Sequence, residues 1–155
     1  MIEQGYGGAA RFTIEDCGFG GFSLNTSAIH IESTVPNAFQ LDVRNVTVNA
    51  SGEATNGILC ENGRLNVTNL HVERAINGIH MVGGNCIING MTGSATVTNL
   101  VTTNASFLGT IEAHGLDNNG ATNTLDDNVT SSDIVGAGDG FHFPFSVQWL
   151  SLIHI

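Results

Sequence analysis

The sequence contains no lysine. Its only cations besides histidine are Arg11, Arg44, Arg64 and Arg74, set against 14 acidic residues, so the formal net charge over 155 residues is −10. A surface that holds phosphates needs clustered Lys and Arg. Nucleic acid is therefore disfavoured as a partner, and so are anionic membranes, for the same Coulombic reason. Anionic polysaccharides would be repelled too, unless a divalent cation bridged the two acidic surfaces. Charge of either sign is scarce: 12% of residues are charged, about half the usual share of roughly 25%. Disordered chains are usually highly charged and poor in apolar residues, whereas 41% of this chain is hydrophobic. It can bury one core, and its length suits one domain.

Other absences narrow the field further. No apolar run reaches the ~18 residues of a membrane span. The opening "MIEQGYGGAARF" has no basic region followed by an apolar one, so no signal peptide is read there. A true start lying further upstream would leave the same sequence. Cys17, Cys60 and Cys86 make an odd count, which closes no disulfide framework. Their spacings match no zinc pattern, and small buried apolar residues is the plainer assignment.

What is present is repetition. "ATNGILC" (54–60) has a near-copy in "AINGIHM" (75–81). Before the first stands "LDVRNVTV" (41–48), and before the second "LNVTNLHV" (65–72). Both read apolar-x-apolar-x-Asn-apolar-x-apolar. "FTIEDCGF" (12–19) fits the same frame with Asp16 in the Asn place. "ATVTNLVT" (95–102) fits less cleanly, and "TLDDNVTS" (124–131) poorly. Downstream anchors "SAIHI", "GTIEA" and "DGFHF" complete five passes. Repeats of about 20–50 residues signal solenoids, propellers or arrays. The period-two alternation and the Val, Ile, Thr and Phe content are strand-like, and the Gly, Asn and Ser between segments are turn formers. Propeller blades need about 40 residues or more, so a coil of short parallel strands fits best.

Such a coil predicts columns of like residues. Ile29, Ile58, Ile79, Ile111 and Phe141 are expected in one inward stack, and Ile14, Val43, Val67 and Val97 in another. Asp16, Asn45, Asn69, Asn99 and Asn128 are expected to stack at a turn, where amides bond along the column. The residues after the Gly-Ile anchor then point outward: His30, Leu59, His80, Glu112 and His142. On that register His80, Glu112 and His142 occupy consecutive turns, as a candidate metal column. Imidazole and carboxylate suit zinc. The plainer alternative is a polar ladder on a solvated face.

These repeats resemble those of right-handed parallel β-helices of the pectin-lyase-like superfamily, over roughly Arg11 to Phe143. The resemblance implies an all-β fold, a right-handed parallel β-helix (β-solenoid) of about five rungs spanning 1–149. It does not by itself imply chemistry, because the superfamily holds pectate and pectin lyases, polygalacturonases, phage tailspikes and adhesins. "NTLDDN" and "GDGFHF" look superficially like polygalacturonase motifs, which makes Asp126, Asp127 and Asp139 the candidate catalytic carboxylates. Leu125 stands where that pattern has its first Asp, so turn carboxylates are the plainer assignment. No arginine sits in a recognisable lyase motif.

Two functions follow. The first is a non-catalytic β-helix segment of a larger extracellular, cell-surface or virion protein of phage-tail or adhesin type, contacting polysaccharide. The second is a fragment of a pectin-lyase-like polysaccharide lyase or glycoside hydrolase. No cofactor is expected beyond a divalent cation, calcium or zinc, at the His80 column. Open strand edges recruit other chains, so self-association, end to end or as a homotrimer, is a further expectation. The last six residues, "LSLIHI" (150–155), match the translation of a transposon-library adapter and are read as a non-native tail.

Overall fold

The computed structural model describes residues 2–4, 10–20, 26–35, 38–94, 97–117, 123–125 and 134–135. Among them there is no helix. The strands are β1 (Ile2–Gln4), β2 (Ala10–Glu15), β3 (Gly18–Gly20), β4 (Ser27–Ser33), β5 (Phe39–Glu61) and β6 (Gly63–Met81). They continue as β7 (Gly84–Gly93), β8 (Asn99–Thr103), β9 (Gly109–Asp117), β10 (Asn123–Leu125) and β11 (Ile134–Val135). All eleven join one parallel, curled, half-barrel sheet.

The long strands bend, so each presents several sectors. β2, β3 and β4 all pair with β5, at its first, middle and last parts. β5 then pairs with β6 from Gln40↔Arg64 to Cys60↔Met81. β6 passes the first sectors on to β7 and the last to β8. Alternation explains which residues face in. Leu41, Val43, Leu65, Val67, Ile88 and Ile111 are fully buried, while Arg44, Arg64 and Thr68 between them are exposed. Each buried Leu, Ile or Val contributes about 1.5–3 kcal/mol.

The bend itself has a residue-level cause. Asp16, Asn45 and Asn69 have φ of 51°, 50° and 55°, followed in the same column by Gly90 at 83° and Gly115 at 64°. This left-handed conformation breaks the alternation, so Val46, Leu70, Met91 and Leu116 turn inward next. Among L-residues, Asn and Asp are among those that tolerate it best. Their side chains bond along the column: Asn45 Nδ2 donates to Asp16 Oδ1 (2.9 Å) and Asn69 Nδ2 to Asn45 Oδ1 (3.0 Å).

A second ladder runs through the last sector. Asn56 Nδ2 donates to Ser27 Oγ (3.3 Å), Asn77 Nδ2 to Asn56 Oδ1 (3.0 Å) and Asn99 Nδ2 to Asn77 Oδ1 (2.9 Å). Asn56 is buried, so its amide needs these partners. The sectors share an interior. A Cβ added at Gly57 would stand 3.2 Å from the Val72 side chain, and one at Gly63 3.0 Å from Ile31 Cγ2.

The register confirms part of the expected columns and corrects the rest. Ile29, Ile58 and Ile79 stack as expected. The next member is Val101, however, and Ile111 lies against Cys86. Ile88, not Val97, follows Val67, and Asn99 belongs to the second ladder rather than the turn column. The cause is the segment "CIINGMTG" (86–93), which makes the fourth pass. Its turn position is Gly90, which adopts positive φ without an Asn, so the repeat lacks its usual spelling there. Phe141 and Asn128 lie outside the described residues.

Candidate functional site

The outer face of the first sector gathers most of the chain's cations. Its outward columns are Arg11, Gln40, Arg64, Asn85 and Thr110; then Thr13, Asp42, Asn66, Ile87 and Glu112; then Glu15, Arg44, Thr68, Asn89 and His114. Three of the four arginines are here. Two converge on Asp42: Arg11 Nη2 lies 2.6 Å from Oδ2, and Arg44 Nη2 lies 3.9 Å from the same oxygen. Gln40 Nε2 (3.1 Å) and Asn66 Nδ2 (2.8 Å) donate to Oδ1. Only 2% of Asp42 is exposed. Burial pushes its carboxyl up, but the hydrogen bonds from Asn66, Gln40 and Arg11, with the Arg11 charge, outweigh it and hold the group below its ordinary value.

Beyond Asp42 the face opens into a groove of about 400 Å³, lined by Arg64, Asn66, Asn85, Ile87, Thr110 and Glu112 and floored by Cys86. Ile87 is 40% exposed, although it sits in the middle of a strand. Asn85 Oδ1 accepts from both the Thr110 N–H (3.2 Å) and Thr110 Oγ1 (3.0 Å). Glu112 Oε1 lies 3.0 Å from His114 Nε2. Arg64 has no ion-pair partner among the described residues. The groove thus holds one cation, one carboxylate, two amides, a hydroxyl and an aliphatic side chain.

The expected metal column does not form as drawn. His80 stands in the last sector, between Leu59 and Thr102, with Nε2 2.7 Å from Asn104 Oδ1. Glu112 stands in the first sector, opposite Ile87. The same missed fourth pass displaced it. His142 lies outside the described residues, and so do Asp126, Asp127 and Asp139. Among the described residues no three His, Cys, Asp or Glu side chains group as a metal site. Histidine instead pairs with glutamate, His30 with Glu61 (3.1 Å) and His71 with Glu73 (3.0 Å), as His114 does with Glu112. Cys60 and Cys86 are buried and Cys17 is exposed, all as free thiols. Burial pushes the Cys60 thiol up to about 11 and raises Cys86 as well.

Sequence reasoning passed over Arg64, Asn66, Asn85, Ile87 and Thr110. One signal was available. In "NCIING" two isoleucines are adjacent, and on a strand one of them must face outward. Comparisons with protein-family models, curated proteins and solved structures find no match to this chain.

Proposed function

We propose that this chain is a non-catalytic segment of a larger extracellular, cell-surface or virion-surface protein of the phage-tail or adhesin type, wound as a right-handed parallel β-helix, and that it contacts polysaccharide. Winding is supported by bonded side-chain partners that recur at separations of 29, 24, 21, 22 and 25 residues. Three sectors keep that parallel register together. The observation that carries the binding role is the groove. An exposed aliphatic side chain ringed by amides, a hydroxyl and two charges is the kind of surface that fits a sugar ring, which has C–H faces and hydroxyl edges.

The described face does not favour hydrolysis. Asp42 and Glu112 are the carboxylates of one column, three strands apart, so about 14 Å at the usual ~4.8 Å spacing. Glycosidase pairs stand about 5–9.5 Å apart, and Asp42 is already engaged by Arg11. The test is affinity electrophoresis of the purified chain through gels holding a panel of polysaccharides, beside an assay for new reducing ends and unsaturated products. Retardation without cleavage is expected. Cleavage abolished by Asp126→Asn or Asp139→Asn would establish the lyase or hydrolase alternative instead.

A further inference from the structure

We infer that the groove selects an uncharged glycan, held by hydroxyl groups rather than by charge. This rests on the polysaccharide-contact proposal and adds the ligand class and the atoms that choose it. The orientation of both groove amides is fixed chemically. Asn66 must present Nδ2 to Asp42, because a carboxylate only accepts, so its Oδ1 is left facing the groove as an acceptor. Asn85 must present Oδ1 to the Thr110 N–H, because a backbone N–H only donates, so its Nδ2 is left as a donor. Thr110 Oγ1 donates to Asn85 and keeps a lone pair to offer. Glu112 commits Oε1 to His114, leaving Oε2 as an acceptor, and Arg64, without an ion-pair partner among the described residues, supplies donors.

Donors and acceptors are therefore interleaved around one aliphatic platform, Ile87. A hydroxyl both donates and accepts, so a row of sugar hydroxyls can satisfy both kinds at once. A carboxylate, sulfate or phosphate accepts only and needs converging donors. In this groove it would meet Asn66 Oδ1 and the Glu112 carboxylate with nothing to offer them. The single Arg64 charge is balanced by Glu112, within a chain whose net charge is −10. Long-range repulsion of anionic chains acts in the same direction.

The test uses the full chain with two sets of probes: neutral galactomannan, xyloglucan and dextran, and anionic polygalacturonate, alginate and dextran sulfate. The expected result is binding to at least one neutral probe, insensitive to salt between low and physiological ionic strength. Ile87→Ser, at an exposed position, weakens it about tenfold, the equivalent of ~1.4 kcal/mol. Glu32→Gln, on another sector, leaves it unchanged. Thermal melting of each variant confirms that the fold is intact. Preference for an anionic probe, with binding that falls as salt rises and disappears in Arg64→Gln, overturns the inference while the polysaccharide role stands. Neutral binding untouched by Ile87→Ser also overturns it, because the site is then elsewhere. Binding to no probe of either set defeats the polysaccharide role itself.

Discussion

At the scale of single residues, polar groups decide as much as apolar ones. Asp42 is a buried carboxylate on an outward column, and hydrogen bonds from Asn66, Gln40 and Arg11, with the Arg11 charge, hold its pKa down. Its pKa in the folded chain lies below the unfolded value, so its contribution to stability is present above the unfolded pKa of about 3.9. That contribution is lost as pH falls through the folded pKa. Urea midpoints measured from pH 6 down to pH 3 should fall for the parent chain. In Asp42→Asn the drop should be shallower, and an identical slope would show that Asp42 is not a source of the acid sensitivity. Glycine matters where backbones nearly touch. A Cβ at Gly78 would stand 2.6 Å from the Leu100 carbonyl oxygen and would also meet Met91 Cε. Backbone cannot yield as a side-chain tip can, so Gly78→Ala should cost about 1–3 kcal/mol, the range for overpacked cores, read as a lower urea midpoint. Gly18→Ala, whose nearest contact would be 3.8 Å, is the control.

At the scale of elements, the corner column turns strands into bends. Asn69→Val should cost about 1–2 kcal/mol for the left-handed conformation alone, with the Asn45 amide bond lost in addition. Asn69→Gly keeps the angle and loses only the bond, so it should be the milder change in chemical unfolding. Equal losses would show that the hydrogen bond, and not the conformation, holds the corner. The same column explains what was legible beforehand. Ile58 and Ile79 could be paired from sequence because both follow Asn-Gly in strand-patterned segments. The pass through Ile88 was hidden because Gly90 fills the corner that Asn fills elsewhere. "ATVTN" then passed for the missing turn, since Asn99 serves a ladder in a different sector. Misplacing one pass carried Glu112 from the first sector to the last, and the supposed metal column with it. The groove was illegible for another reason. Its residues come from three segments of β6, β7 and β9, and no single segment spells a motif.

At the scale of the whole molecule, the parallel register links fold and site. It stacks Arg64, Asn85 and Thr110 in one row and Asn66, Ile87 and Glu112 in the next, and the groove exists only while both rows hold. It also gathers Arg11, Arg44 and Arg64 on one face of an acidic chain, leaving the Glu32–Glu61 pairing in the last sector without arginine beside it in the register. Disulfide trapping across adjacent strands tests this register most directly. Leu59 and His80 are paired neighbours, and Thr102 lies one strand further on. Adjacent in-register residues stand about 4.8 Å apart, inside the roughly 4.4–6.8 Å Cα window of a disulfide, whereas two strand steps lie beyond its limit of about 7 Å. Under mild oxidation the double variant Leu59→Cys/His80→Cys should close a bond that peptide mapping assigns to those two positions, and Leu59→Cys/Thr102→Cys should stay reduced. A reduced first pair, or a second pair that closes as readily, would contradict the parallel register on which the groove depends.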